Sequence, residues 1–246
     1  MFASLKDHPF AVETFFESSI VLTYAVDKNE LKGLIPECLE LDLFNDQWAF
    51  LALAIVKTKK LRPKGFPAFM GNDFILTGYR IFVRYTTCAG KRLRGLYILR
   101  SETNKKKMAF LGNIFTHYNY RSTDIDLIRE GTILKVSSKI SGLDVAIDLS
   151  KEDASLPPGS PFNDWKEARR YAGPLPFTFT YNAKTKEVLI IEGVREDWVP
   201  KPVEVMKSRS GFIDQMNLKK IILANAFIIQ NIPYYWKKGK IDKWKK

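Results

Sequence analysis

The stretch FILTGYRIFVRYTTCAGKRLRGLYILRSETNKKKMAFLGNIFTHYNYR, residues Phe74 to Arg121, decides how the rest of the chain is read. From Tyr79 to Tyr85 aromatic and branched residues recur at period two. Tyr79, Ile81, Val83 and Tyr85 therefore point to one side of a strand, and Arg80, Phe82 and Arg84 to the other. Two cations share a face with an aromatic ring, so the rest of the chain is expected to close around a small-molecule pocket here. A Cys-Ala-Gly-Lys turn around Gly90 leads to a second strand, Leu96 to Arg100. After a lysine-rich loop, a third strand is expected to begin near Met108 and to run through His117, Tyr118, Asn119 and Tyr120.

Upstream, Ser19 to Val26 reads as a strand. Asp27 is a fitting N-cap for a short helix, Glu30 completes a capping-box pattern three residues later, and Pro36 ends the helix. Leu39 to Phe44 and Trp48 to Lys57 are β-like runs separated by the hairpin signal Asn45-Asp46, and the second is apolar enough for burial on both faces. Arg62 to Asp73, RPKGFPAFMGND, reads as a loop over the surface or over a pocket mouth.

Downstream, Thr132 to Leu149 is the clearest hairpin: Leu134, Val136 and Ile140 alternate with polar residues, Ser141-Gly142 turns, and Leu143, Val145, Ile147 and Leu149 alternate again. SLPPGSP breaks the structure but is too short to link independent units. Phe162 to Tyr171 has helical spacing behind an Asn163 or Asp164 cap, and Phe177 to Tyr181 and Lys186 to Glu192 form a strand pair. Helix and buried strand compete over Leu218 to Gln230, where Ala224, Asn225 and Ala226 favour a helix with a strand-like ending.

Strands outnumber helices without βαβ alternation, which predicts an α+β domain, largely antiparallel, closed or nearly closed into a barrel that hides its edges. The boundaries expected are one domain over residues 1–236 and a basic tail over 237–246, where KKGKIDKWKK holds six lysines against one aspartate, +5 of the net charge of +12. Such a tail is either a solvated end or an attachment point for an anionic partner such as nucleic acid or lipid; no nucleic-acid motif stands beside it, so nucleic acid is not the partner expected. With 46% hydrophobic and 13% aromatic residues the chain can build a sizeable core. The nearly apolar run Ile221 to Ile229 is too short for a membrane span, and MFASLKDHPF lacks a signal-peptide pattern, so a cytoplasmic location is expected. Cys38 and Cys88, with two histidines in the whole chain, suggest neither a disulfide framework nor a metal site; both thiols are expected in core or strand.

NELKGLIPECLELD, YRIFVRY, GLYIL, THYNYR, PFNDWKEARRYAGPLPF, GVREDWVPKPVEV and ANAFIIQNIPYYW occur in an order and spacing that resembles the acetoacetate decarboxylase-like superfamily over nearly the whole chain, and within it an uncharacterised sister family known as a domain of unknown function. The resemblance implies a cone-like antiparallel β-barrel flanked by a few helices, with a ligand cavity inside. The superfamily's name-giving enzyme uses a Schiff-base lysine whose pKa an adjacent cation lowers. Its Gly-Arg-Glu followed by Pro-Lys-Lys is matched here at Gly112, but Asn113 and Ile114 replace the Arg-Glu, and the lysine pair falls near Tyr118 to Tyr120, where no lysine stands. The acidic residue expected ahead of Arg80 is Leu76, and the arginine expected near the first strand's end is Ala25. Lys105, Lys106 and Lys107 could supply a displaced amine with mutually depressed pKa, although three consecutive lysines also read as an exposed loop.

The ligand-binding residues expected are Arg80, Arg84, Tyr118, Tyr120 and Arg121, with Phe227 and Trp236 in an apolar wall; Tyr234 is a further wall candidate, and Arg169 and Arg170 are further cations. Each has a structural alternative, core packing for the rings and surface ion pairs for the arginines. Alternation sets His117 on the face opposite Tyr118 and Tyr120. The function expected is a small-molecule binding protein, or an enzyme of the lyase, decarboxylase-like or hydrolase type, acting on a small carboxylate or oxo compound without a cofactor. A non-catalytic module with a partner-binding tail and a decarboxylase using a displaced lysine are the alternatives. Homo-oligomerisation is left open.

Overall fold

The computed structural model describes residues 3–172 and 175–244. In chain order the elements are α1 (Ala3–Lys6), β1 (Val12–Asp27), α2 (Lys28–Lys32), β2 (Glu40–Leu41), β3 (Trp48–Pro63), β4 (Asn72–Thr86) and β5 (Arg92–Thr103). Then come α3 (Lys106–Phe115), β6 (Tyr120–Ser122), β7 (Asp126–Glu130), β8 (Ile133–Ser138), β9 (Leu143–Asp148) and α4 (Trp165–Ala172). The last group is β10 (Phe177–Asn182), β11 (Glu187–Arg195), β12 (Lys201–Pro202), β13 (Glu204–Ser210), α5 (Gly211–Gln215), β14 (Ile221–Trp236) and β15 (Lys240–Lys243).

Neighbouring strands hydrogen-bond in the order β14, β1, β3, β4, β5, β10, β11, and β11 then pairs with β14, so the path returns to its start. The pairs are antiparallel except β5 with β10 and β5 with β6. Burial on both faces follows. On β3 the outward Ala49, Leu51, Leu53 and Ile55 join the main core, while Phe50, Ala52, Ala54 and Val56 point into the ring. The main core is capped by a second antiparallel sheet, β13-β9-β8-β7, which contributes Leu134, Val136, Leu143, Val145 and Ile147. Inside, Phe44, Phe50, Phe82 and Phe162 close one end of the ring together with Ala168 of α4.

Several segments depart from expectation for identifiable reasons. The strand expected from Met108 is a helix, α3, because Met108, Leu111, Gly112 and Phe115 fall at i, i+3, i+4 and i+7 and turn one face inward. Leu218 to Gln230 contains no helix; β14 runs from Ile221 with an antiparallel partner along its whole length, and a strand buried on both faces has no period to betray it. The Arg62–Asp73 loop shortens to a single 3-10 turn, Ala68–Met70, between two strands that run into it. Asn45 and Asp46 do turn, both at positive φ, but the segment before them pairs with β4 rather than with β3, apart from one bridge between Phe44 and Trp48. Ile140 sits exposed in its turn. Asp27 caps α2 as expected, accepting from Asn29 N, whereas Glu30 leaves the capping box to accept from Lys219 N, and the helix ends at Gly33 before Pro36 is reached.

The basic end is not loose over the described residues. β15 pairs with β11, and Asp242 accepts hydrogen bonds from the Tyr85 hydroxyl (2.6 Å), the Cys88 N–H (2.9 Å) and the Cys88 thiol (2.7 Å). Cys88 is therefore an exposed turn residue rather than a core thiol, while Cys38 is buried, which pushes its thiol up to about 12. Lys245 and Lys246 lie outside the described residues. Among those described, no helix is long and apolar enough to cross a membrane.

Candidate ligand chamber

Arg80 enters the ring because β4 alternates: Tyr79 and Ile81 are fully buried in the outer core, so the residue between them must face in. A register shift in the β4–β5 pairing falls between Tyr79 and Arg80. The side chain folds back along its own strand over Gly78, where a Cβ would lie 3.0 Å from Arg80 Nε; glycine leaves the space the guanidinium uses. Arg195, the last residue of β11, comes from the other side of the ring. Its guanidinium lies 3.9 Å from the centroid of the Trp198 ring and 5.8 Å from that of Tyr234.

Around these cations stand three tyrosines. The Tyr118 hydroxyl meets Thr178 Oγ1 at 2.7 Å, and the Tyr118 and Tyr120 rings are 6.4 Å apart. Tyr234 stacks on Phe16 at 4.6 Å and packs against Trp236 at the same distance. Burial pushes every one of these hydroxyls up, Tyr120 to about 12, so all three remain protonated donors at neutral pH. Burial also lowers the pKa of both arginines from their ordinary value, opposed for Arg80 by Tyr234, Tyr120 and Tyr118.

The chamber so lined has a volume of about 310 Å³. Among the described residues, its lining contains no aspartate, no glutamate and no lysine. Among the described residues, no carboxylate is within salt-bridge range of Arg80 or Arg195, and Arg80 Nε and Arg195 Nη2 are buried without a hydrogen-bond partner. A buried guanidinium nitrogen without a partner carries a desolvation cost. Two such half-buried cations on one largely apolar chamber form a positive charge that an anion would neutralise with charge-assisted hydrogen bonds.

Of the residues expected to bind ligand, the structure brings Arg80, Tyr118, Tyr120, Phe227 and Trp236 to this chamber, and Tyr234 with them. Arg84 is elsewhere: it pairs with the fully buried Asp42, which also holds Arg94 at 2.6 Å. Arg121 borders a separate cleft of about 380 Å³ with Arg100, Asn113, Asn119 and Phe212. Arg169 and Arg170 are exposed on α4. His117 lies 3.6 Å from Asp7 and does not line the chamber. Lys105, Lys106 and Lys107 are exposed at the start of α3, outside it.

Among the lining residues that escaped the sequence reading, Arg195 and His8 bear most on the chemistry. Arg195 is hidden because its partners Trp198 and Tyr234 meet only in the folded ring. His8 precedes β1, is buried with Nδ1 unpartnered, and takes a positive φ of 53°; burial lowers its pKa, leaving a neutral imidazole. Gly193 offers a test of how closely the cation is held, since a Cβ there would lie 1.9 Å from the Tyr234 hydroxyl oxygen. Gly193→Ala should displace that hydroxyl from its place beside Arg195, costing about 1–3 kcal/mol of stability, read as a lower denaturant midpoint. An unchanged midpoint would show that Tyr234 moves aside freely.

Solved structures with this architecture share little sequence. Acetoacetate decarboxylase from Legionella pneumophila matches with a TM-score of 0.62 at 13% identity, covering 96% of this chain and 89% of that one. An acetoacetate decarboxylase-like enzyme from Sphingomonas wittichii RW1 gives 0.57 at 12% identity, covering 98% and 94%. The enduracididine biosynthesis enzyme MppR complexed with pyruvate gives 0.53 at 7%, covering 95% and 90%. These likenesses establish an acetoacetate decarboxylase-like fold. No curated protein matches the sequence significantly. Residues 16–230 match DUF2071, described as an uncharacterized conserved protein, a span that contains both arginines and most of the chamber wall. The chain therefore belongs to the DUF2071 family, on a fold it shares with acetoacetate decarboxylase.

Proposed function

We propose that the ring is a closed, cone-like β-barrel whose chamber binds a small carboxylate or oxo compound. The observation that carries this reading is the pair of half-buried guanidinium groups, each with one buried unpartnered nitrogen, on a cavity whose described lining has no acidic residue. Arg80 and Arg195 hold the carboxylate, and the protonated Tyr118 and Tyr120 hydroxyls donate to a neighbouring carbonyl. That a protein of the same fold is complexed with pyruvate supports an oxo acid as occupant.

The chemistry so read is not Schiff-base decarboxylation, because among the described residues no lysine lines the chamber to form the imine. Borohydride reduction in the presence of acetoacetate should leave the protein mass unchanged; a mass increase on any lysine would contradict this. Calorimetric titration with pyruvate tests the binding itself. Arg195→Gln should weaken it at least tenfold, the loss of one charge-assisted pair. Equal affinity in the variant would remove the support for the proposal.

A further inference from the structure

The chamber is larger than a three- or four-carbon acid requires. A dry protein cavity of about 150 Å³ already admits benzene. Here the volume is about twice that. The polar groups are gathered on one side, where Arg80, Tyr118, Tyr120, Thr178, Tyr234 and Arg195 lie. Elsewhere the described lining is mostly apolar, interrupted by single polar residues such as Ser19, Thr58 and Asn72 and by Arg62, which is paired with Glu13. On β3 two small residues, Ala52 and Ala54, face inward between the larger Phe50 and Val56, and leave a recess against the strand that carries Arg80, since Ala52 is its register partner. Phe82 and Leu96 extend the apolar surface toward the closed end, and Phe74, Met108 and Phe115 extend it along α3. A short acid bound at the arginines would leave these walls without contacts, forfeiting dispersion and apolar burial.

We infer that the ligand is a carboxylate carrying an apolar body of at least phenyl size, either an aromatic ring or a chain of six or more carbons, with the acid at Arg80 and Arg195 and the body in the recess beside Ala52 and Ala54. This rests on the carboxylate reading above and specifies its substrate class.

Calorimetry on the full chain with butyrate, hexanoate and octanoate, and with pyruvate against phenylpyruvate, tests it; 1-octanol is the uncharged control. Affinity should rise about fourfold per added methylene. Phenylpyruvate should bind more than tenfold tighter than pyruvate at a stoichiometry of one, and 1-octanol at least tenfold weaker than octanoate. A flat series, with short and long acids bound equally, would overturn the inference while leaving the carboxylate reading in place. If 1-octanol matched octanoate, or if no acid of any length bound, both would fall.

Discussion

Replacing Arg80 with methionine is expected to raise the melting temperature of the ligand-free protein and to lower its affinity for a carboxylate about a hundredfold. The two effects share one cause. Arg80 is desolvated, its Nε has no partner, and among the described residues no carboxylate pairs with it, so in the empty protein the charge is a cost. Exchanging a buried charge for an apolar side chain of similar volume is commonly neutral or stabilising by about 1–4 kcal/mol. For a chain of this length that corresponds to an upward shift of a few degrees or more. The same exchange removes a charge-assisted contact to the anion, and truncating one partner of such a pair costs about 2–5 kcal/mol of affinity. Differential scanning calorimetry and titration on one preparation check both halves. A lower melting temperature with unchanged affinity would mean that Arg80 is a structural cation.

Asp42→Ala should act in the opposite sense, on stability without loss of the chamber cations. Asp42 is completely buried, holds Arg84 and Arg94 through its two oxygens, and donates its backbone N–H to Phe82 O at 3.0 Å. Removing one member of a buried ion cluster typically costs about 3–5 kcal/mol. Here Arg84 and Arg94 remain 28% and 39% exposed, so water recovers part of their hydration and about 2–4 kcal/mol is expected. The denaturant midpoint should fall with an unchanged slope. A loss under 1 kcal/mol would indicate that the cluster is already solvated.

Arg80 and Arg84 also mark how far the sequence can be read. Alternation from Tyr79 to Tyr85 places both on one face, and both do leave the outer core. What alternation cannot give is depth along the ring. Four residues carry the strand past Phe82 and the aromatic closure, to a level where Asp42 waits, 42 residues away in sequence. Arg195 is the converse case. GVREDW carries no period, and its cation becomes part of the chamber only because β11 and β14 close the ring and bring Tyr234 alongside. Local spacing was legible where one face met water, as in β8 and β9. It failed on β14, buried on both sides, and on α3, whose lysine run and aromatic residues resemble a loop entering a strand. The departure from the Pro-Lys-Lys motif at Tyr118 to Tyr120, by contrast, is a matter of residue identity and is read without any knowledge of packing.

A crystal structure of the protein with phenylpyruvate tests the central claim most directly. The carboxylate should lie within hydrogen-bonding distance of both the Arg80 and Arg195 guanidinium groups, with the ring beside Ala52 and Ala54. A chamber filled by the protein's own side chains, or a ligand bound away from both arginines, would contradict it.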